Sequence, residues 1–406
     1  MNSDSDQYIW IGLDDTDERE YGCTTHDFNE LLEYLNEYNY SIIDARIVRL
    51  WPFAPRRTRG NAALAACIGC TLEMLDSFES LLDDWFYSRY ATEHGTENSH
   101  SSRPVLLACY ERPDEEMYWR TVRGHVRLDD RENEILAVKH RVWSTSKGLN
   151  GIIGASAAIA WRGNHDCTWE YTAWRHKVGT PRNVPSTSVD DMYRNHPLTL
   201  LNRDPNAKRS LIAPRTPCPV LYGIRGETED EVVSAHEYLQ SLDIEQSKNG
   251  RAHRTNQATN DHISSIESGH ISSKPIILRG GHVELDVGFK LVAFSQGGPV
   301  NRLAQTLCEG DHIEWRGLQS PDGSIHLEQL RIIHGIRNKR RPICQCGTRY
   351  KSKGRNQVLQ CPHCKSLTDV EWDVDDISSE WVEPNASQRR HLSKPLSRQG
   401  KSEETT

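Results

Sequence analysis

Residues 8–17 read Tyr8-Ile9-Trp10-Ile11-Gly12-Leu13-Asp14-Asp15-Thr16-Asp17, and after four polar residues the chain continues Gly22-Cys23-Thr24-Thr25. The Ile- and aromatic-rich run Tyr8–Leu13 predicts a strand that ends on three carboxylates. Beyond it Phe28, Leu31, Leu32 and Leu35 recur at helical spacing, so a helix ending near Asn39 follows. Ile42–Leu50 and Ala62–Cys70 read as strands, Leu72–Phe86 as a helix, Val105–Tyr110 as a strand and Glu115–Val122 as a short helix. That alternation predicts an α/β or α+β unit. Three carboxylates at a strand end repel one another unless a cation neutralises them, and oxygen ligands suit magnesium carrying substrate phosphates. The Cys-Thr-Thr step offers hydroxyls and free backbone N–H groups at a helix N-terminus, where an anion is favoured. An Asx-rich turn followed by a Thr N-cap would produce the same letters with no chemistry.

Further out, Gly148–Ala160 (GLNGIIGASAAIA) has the small residues of a helix pressed closely against a sheet. Residues 92–103 (TEHGTENSHSSR) read as a polar loop, and Gln246–Lys274, rich in Ser, Asn, His and Thr, as a connecting segment. From Ile276 to Arg331, short alternating runs broken by Gly-Gly and Pro-Asp-Gly turns predict a small antiparallel barrel of OB-fold size. Trp315, Phe289 and Phe294 are candidate base-stacking residues there, although aromatics at strand spacing also suit a core.

The whole chain has 406 residues, 57 Asp+Glu against 49 Lys+Arg, a formal net charge of −8 and 36% hydrophobic residues. This length predicts about three or four domains. No apolar run approaches the roughly 20 residues of a membrane span, and the acidic start MNSDSDQY lacks a signal-peptide layout, so a soluble cytoplasmic protein is expected. The charge is segregated: ten Lys/Arg and no Asp or Glu lie between Arg331 and Lys365, leaving −18 on the remainder. Such a patch is an electrostatic footprint for phosphate. Inside it stand Cys344-x-Cys346-Gly347 and Cys361-Pro362-His363-Cys364, with 14 residues between the second and third cysteines. Four thiolates predict a structural zinc site in a zinc ribbon, with His363 able to replace one sulfur, although the first knuckle is one residue short of C-x-x-C. The block Arg56-Arg57-Thr58-Arg59-Gly60-Asn61, between two predicted strands, could clamp a polyphosphate opposite the magnesium. There is no Walker motif and no protein-kinase signature set.

The segments IGLDDTD…GCTT, IVRLWP…RRTRGNAA, GLNGIIGASAAIA, YTAWR…GTPR, PCPVLYGIRGE, HRTNQATNDH and RRHLSKPL resemble, in the same order, those of the archaeal tRNA(isoleucine) 2-agmatinylcytidine synthetases, the TiaS family. The resemblance runs over nearly the whole length. It implies a multidomain α+β protein with an α/β kinase-like N-terminal domain over 1–140, a ferredoxin-like domain over 141–245, a connecting segment over 246–274, an OB-fold over 275–336, a zinc ribbon over 337–370 and a tail over 371–406. It also implies an ATP-dependent, magnesium-assisted ligase that joins agmatine to C2 of the wobble cytidine of isoleucine tRNA with a CAU anticodon, changing decoding from AUG to AUA. Phosphorylation of the cytidine O2 would turn it into a leaving group, and the amine of agmatine would displace it.

Carried onto this sequence, the resemblance assigns Thr24 as a self-phosphorylation site, with Asp14, Asp15 and Asp17 holding metal or orienting the nucleophile. ATP phosphates would meet Arg57, Thr58, Arg59, Gly60 and Asn61, and agmatine would lie near Gly179, Thr180, Arg225 and Glu227. Zinc would be held by Cys344, Cys346, Cys361 and Cys364, and tRNA by Arg340, Arg341, Lys351, Lys353, Arg389, Arg390 and Lys394. A monomer is expected. The target base must leave its stack to be reached. Three positions depart from the family pattern: the C-x-C knuckle, Arg57 in place of Lys, and Ala258 in place of Gly, the last mattering only if that backbone needs positive φ. A non-catalytic RNA-binding protein and a carboxylate-metal ribonuclease are the competing readings.

Overall fold

The computed structural model describes residues 7–17, 22–57, 60–90, 102–146, 148–354, 358–369 and 372–400. It divides into two compact units, Met1–Ser264 with Asn385–Thr406, and Ser265–Pro384.

The first unit contains β1 (Gln7–Asp14), β2 (Ser41–Arg49), β3 (Ala62–Cys70), β4 (Val105–Cys109), β5 (His140–Ser144), β6 (Thr168–Arg175), the short hairpin of β7 (Arg203–Asp204) and β8 (Arg209–Ser210), β9 (Val220–Gly226) and β10 (Ser247–Thr255). Eight of these form one mixed sheet in the order β5-β4-β1-β3-β2-β10-β6-β9. Its neighbours are antiparallel except β2 and β10, which run parallel with Arg46 opposite Arg254 and Ile47 opposite Thr255.

The period of two along β1 sorts its side chains. Ile9, Ile11 and Leu13 face α1 (Thr24–Glu37) and α2 (Leu75–Tyr90), where they join Phe28, Leu31, Leu35 and Phe86 in a fully buried core. Each such side chain contributes roughly 1.5–3 kcal/mol by leaving water. Trp10 and Gly12 face the other side, covered by α3 (Glu116–Arg123), α4 (Leu128–Ile135) and α5 (Ile152–Ala160). The small-residue helix does press onto the sheet: a β-carbon on Gly12 would stand 2.6 Å from the Ala155 carbonyl oxygen. Helices α6 (Ser186–Asn195) and α7 (Glu229–Gln240) close a further core over β6 and β9.

Two sequence expectations need correction here. The segment 246–274 is not simply a connector, because it carries β10 in the middle of the sheet. Its inward side chains His253 and Thr255 are polar yet fully buried, so no apolar alternation marks the strand. The tail 385–400 likewise packs onto the first unit. Ala258 N donates to the His391 carbonyl and Asn260 N to that of Leu392, each at 2.8 Å, and Leu392 enters the core beside α5. Ala258 has φ +58°, so the position where the family pattern has Gly does require the left-handed conformation.

The second unit holds β11 (Glu267–His270), β12 (Ile276–Ile277), β13 (Val283–Asp286), β14 (Lys290–Ala293), α8 (Pro299–Thr306), β15 (His312–Gln319) and the long β16 (Ile325–Arg340). Small strands β17 (Lys351–Ser352), β18 (Leu359–Gln360) and β19 (Leu367–Thr368) form a separate sheet, and β20 (Asp373–Ile377) pairs with β16. The larger sheet runs β11-β15-β16-β14-β13-β12 around a core of Val283, Leu291, Val300, Ile313 and Leu330. Trp315, a stacking candidate from sequence, is 2% exposed and belongs to that core. Phe289 is 46% exposed, edge-on to Trp315. Phe294 stands edge-on to both His282 and His326. Among the described residues no helix is long and apolar enough to cross a membrane.

An L-residue in the left-handed region costs roughly 1–2 kcal/mol, of which the extra chain entropy of glycine takes back about 0.5–1 kcal/mol. Ala258 is also fully buried, so losing its methyl costs about 0.8 kcal/mol and offsets that gain. Ala258→Gly should therefore leave unfolding stability within about 0.5 kcal/mol of the parent in urea titrations.

Candidate active site and metal centre

The carboxyl end of β1 continues the face alternation into the site. Asp14 follows Gly12 on the α5 side, and a β-carbon on Gly154 would overlap its Oδ2, so the carboxylate has room only against glycine. Asp15 then takes φ +61° and donates its N–H to Asp14 Oδ1 at 2.7 Å. This turn leaves Asp14 and Asp17 at different openings. Asp14 lines a cavity of about 320 Å³ with Trp51, Arg56, Asn61 and His125. Asp17 lines a second, of about 280 Å³, with Thr24, Arg49, Glu170, Arg225 and His391.

In the second cavity Thr24 is the first residue of α1, and both its N–H (2.7 Å) and its hydroxyl (3.0 Å) donate to Asp17 Oδ1. The carboxylate thus orients a hydroxyl at a helix N-terminus, a place that favours an arriving anion. Two guanidiniums face the same space. Arg49 has its main chain held on both sides by Asn256, which accepts from Arg49 N at 2.7 Å and donates to Arg49 O at 2.8 Å. Its Nη2 lies 3.5 Å from Glu170 Oε2. Arg225 is held below the usual guanidinium range by burial. In the first cavity the Trp51 indole N–H is buried without a partner among the described residues.

Burial first, and then the Asp15 charge, holds Asp14 well above the usual carboxylate range. Asp15 is pushed up to about 6 by burial; Asp17 adds to the rise, while Arg103 and Arg56 oppose it. Mutual repulsion of this kind is what a cation relieves. The three carboxylates do not form a set with ligand atoms within 4.8 Å of one another, unlike the groups described next. They suit magnesium, which takes one or two carboxylates and leaves its other positions to phosphate and water, better than a metal caged by protein alone.

Among the described residues two other groups do converge within 4.8 Å. His26, Asp27 and Glu30 are one, but Arg89 already supplies the cation there, at 2.6 Å from Asp27 and 2.7 Å from Glu30. The other is Cys344, Cys346, Cys361 and Cys364, without His363. Cys344 Sγ to Cys364 Sγ and Cys346 Sγ to Cys361 Sγ are both 3.4 Å. A tetrahedral ion with sulfur at ~2.3 Å needs sulfurs about 3.8 Å apart, so this cluster fits zinc. The short knuckle still turns: Gly347 has φ +80° and donates to the Cys344 carbonyl at 2.8 Å.

The remaining residues singled out in the sequence scatter. Gly60 lines the second cavity and Asn61 the first, whereas Arg57 is exposed and donates to the Ala54 carbonyl. Thr58 and Arg59 lie outside the described residues. Gly179, Thr180 and Glu227 line neither cavity; the Thr180 carbonyl accepts from Arg175, and Glu227 accepts from Arg398 at 2.8 Å. Lys394 pairs with Asp166 at 2.7 Å, and Arg390 lies over the Phe53 ring, with Arg389 partly buried beside it. Arg340 pairs with Asp375, the Arg341 carbonyl accepts from Arg349, and Lys351 and Lys353 are exposed near the cysteines.

Sequence models of two domains match the chain, the TiaS TCKD domain at residues 10–74 and the TiaS FLD domain at residues 150–262. The TiaS of Archaeoglobus fulgidus, a 2-agmatinylcytidine synthetase acting on an isoleucine tRNA, is 30% identical over 96% of this chain and 97% of its own. The chain belongs to the TiaS family. The TiaS of Staphylothermus marinus is 30% identical over 97% of this chain and 94% of its own. Among solved structures, a complex of TiaS with its isoleucine tRNA and ATP superimposes with a TM-score of 0.75, at 27% identity and 97% coverage of both chains. A complex of TiaS with the same tRNA, AMPCPP and agmatine gives 0.74 at 26% identity, covering 97% of this chain and 98% of that one.

In this TiaS family member, sequence reading passed over Arg49, Glu170, Asn256, Gln257 and His391. All but Glu170 stand within quoted motifs, and the signal was the polar run Thr255-Asn256-Gln257, a hydroxyl and two side-chain amides that a strand end buries only to hold something.

Because Asp15 has a higher pKa folded than unfolded, folding binds a proton between about pH 4 and 6, and the carboxylate costs stability as pH rises through 6. In metal-free buffer Asp15→Asn should match the parent below about pH 4 and be more stable above about pH 7, by on the order of 1–2 kcal/mol after allowing for solvent screening, in urea unfolding.

Proposed function

We propose that this chain uses ATP to conjugate agmatine to C2 of the wobble cytidine of isoleucine tRNA with a CAU anticodon, with the Asp14–Asp17 turn as its phosphoryl-transfer centre. The observation that carries this reading is that one turn serves two cavities, Asp14 in the first and the Asp17–Thr24 pair in the second. The first cavity, where Leu50, Val126, Leu128 and Ile153 stand with Trp51 and its buried indole N–H, suits a flat heterocycle. The second is the reaction chamber, where Arg49 and Arg225 meet phosphate oxygens and Asp17 takes the Thr24 hydroxyl proton as that oxygen is phosphorylated.

Asp14 and its neighbours would hold a magnesium ion together with ATP phosphates, and that ion would supply charge neutralisation for the transferring group. Arg56 and Asn61 hold the phosphates from the turn above, and Arg57 extends that basic edge. Displacement of the phosphorylated O2 by the amine then completes the ligation. The first unit's sheet, with β1–β5 under one set of helices and β6 and β9 under another, supports a kinase-like domain joined to a ferredoxin-like one. The strand order of the second unit supports an OB-fold, and the cysteine cluster a zinc ribbon whose exposed Lys351 and Lys353 meet the tRNA backbone.

With isoleucine tRNA transcript, agmatine, ATP and magnesium, nucleoside mass analysis should find agmatine added to one cytidine. Intact unmodified tRNA would support a binder and cut tRNA a nuclease. Asp14→Asn should abolish the modification with tRNA affinity within about 3-fold of the parent in filter binding, since phosphate contacts elsewhere carry affinity. Cys361→Ser with Cys364→Ser should release zinc, read by metal analysis, and weaken tRNA binding.

A further inference from the structure

The C-terminal tail brings an imidazole into the second cavity. The His391 ring is open to the cavity it lines, while its main chain is tied to Ala258 and the following Leu392 is 1% exposed in the core. Seven residues on, Arg398 anchors the same segment on both oxygens of Asp166, at 2.6 and 2.7 Å. The ring is therefore positioned by packing before any ligand arrives.

Its neighbours also fix its tautomer. Gln257 Nε2 donates to Glu170 Oε2, and a carboxylate only accepts. Gln257 consequently turns its Oε1 to His391 Nδ1, at 3.0 Å. An amide oxygen also only accepts, so Nδ1 carries the proton, and in the neutral ring Nε2 keeps its lone pair. Arg49, then burial, then Arg225 hold His391 well below the ordinary imidazole range, which keeps it neutral.

Three other candidate proton acceptors in the cavity are already committed or disfavoured. Asp17 accepts from the Thr24 N–H and hydroxyl, and Glu170 holds Gln257 beside Arg49. Burial pushes the Cys23 thiol up to about 12.

We propose that His391 Nε2 takes the proton released when the attacking amine bonds to C2 of the cytidine. This rests on the second cavity being the reaction chamber. The amine enters as free base and its lone pair forms the C2–N bond. The C2–O2 bond breaks with its electron pair leaving on phosphate, the N–H proton moves to Nε2, and the imidazolium hands it to the departing phosphate or to water. A weak base suits this step, because the nitrogen becomes acidic only as it turns cationic in bonding to C2. Arg49, Arg225, Glu170 and Asp17 are the charged groups that line the cavity with the ring, and the two arginines act on it directly. Phosphate in the cavity offsets the two guanidiniums and raises the proton affinity of Nε2 during the reaction.

His391→Asn leaves an N–H to reach Gln257 but removes Nε2, so it separates the two roles of the ring. In single turnovers of the full-length protein with tRNA transcript, ATP and agmatine, H391N should keep the parental melting temperature and the parental phosphoryl-transfer rate, while amination slows by about 100-fold or more. With hydroxylamine, a less basic amine whose adduct sheds its proton readily to water, the gap should narrow by about 10-fold or more. H391Q, which retains polar bulk without a base, should behave likewise if H391N folds poorly. Parental amination by these variants, an equal defect with both amines, or a matching loss of phosphoryl transfer would each overturn the assignment. If Thr24→Ala and Arg225→Ala also leave both steps unchanged, the reading of the cavity itself fails instead.

Discussion

The close contact of α5 with β1 is the constraint from which the catalytic end is built. It exists because Gly12 and Gly154 carry no side chain, so a helix backbone reaches the strand and Asp14 is accommodated between them. A larger residue at either place would lift α5 and move the carboxylate, since packed interiors absorb little volume. The site is thus determined by what the sequence omits at two positions as much as by the aspartates it supplies.

From that contact the left-handed Asp15 follows as a local device. It permits two nearby carboxylates, Asp14 and Asp17, to serve two cavities while keeping them close enough for the Asp17 charge to add to the rise that burial causes in Asp14 and Asp15. Backbone strain of this kind at a non-glycine residue is characteristic of positions fixed by function. The amide pair Asn256 and Gln257 does the complementary work on the far side, holding Arg49 by its main chain and Glu170 by its side chain. Positive and negative groups are thereby fixed across an open space rather than allowed to collapse onto one another.

Much of this was legible in the sequence, and the reasons for the remainder are physical. β1, α1 and α5 announce themselves because their buried positions are apolar or small and periodic. β10 does not, since His253 and Thr255 occupy its inward positions. The pairing of Lys394 and Arg398 with Asp166, more than two hundred residues earlier, is hidden too, since no local pattern reveals a partner that distant. Trp315 looked like a stacking platform and is core, because an aromatic at strand spacing reads the same on either face. Net charge misled for a related reason: −8 is a sum over an acidic majority and a basic segment around the four cysteines, and only the distribution carries information.

The tail has a consequence for the order in which the protein becomes competent. Its first unit closes with residues 385–400, which are made only after the whole of Ser265–Pro384. Chains emerge from the ribosome N-terminus first and fold by units as they do so. The sheet can assemble early, but the wall of the second cavity that contains His391 is contributed last. A chain interrupted anywhere in the second unit would hold a folded sheet with an unfinished cavity. Synthesis past His391 thus acts as a built-in checkpoint, since no fragment that stops before it has the full cavity.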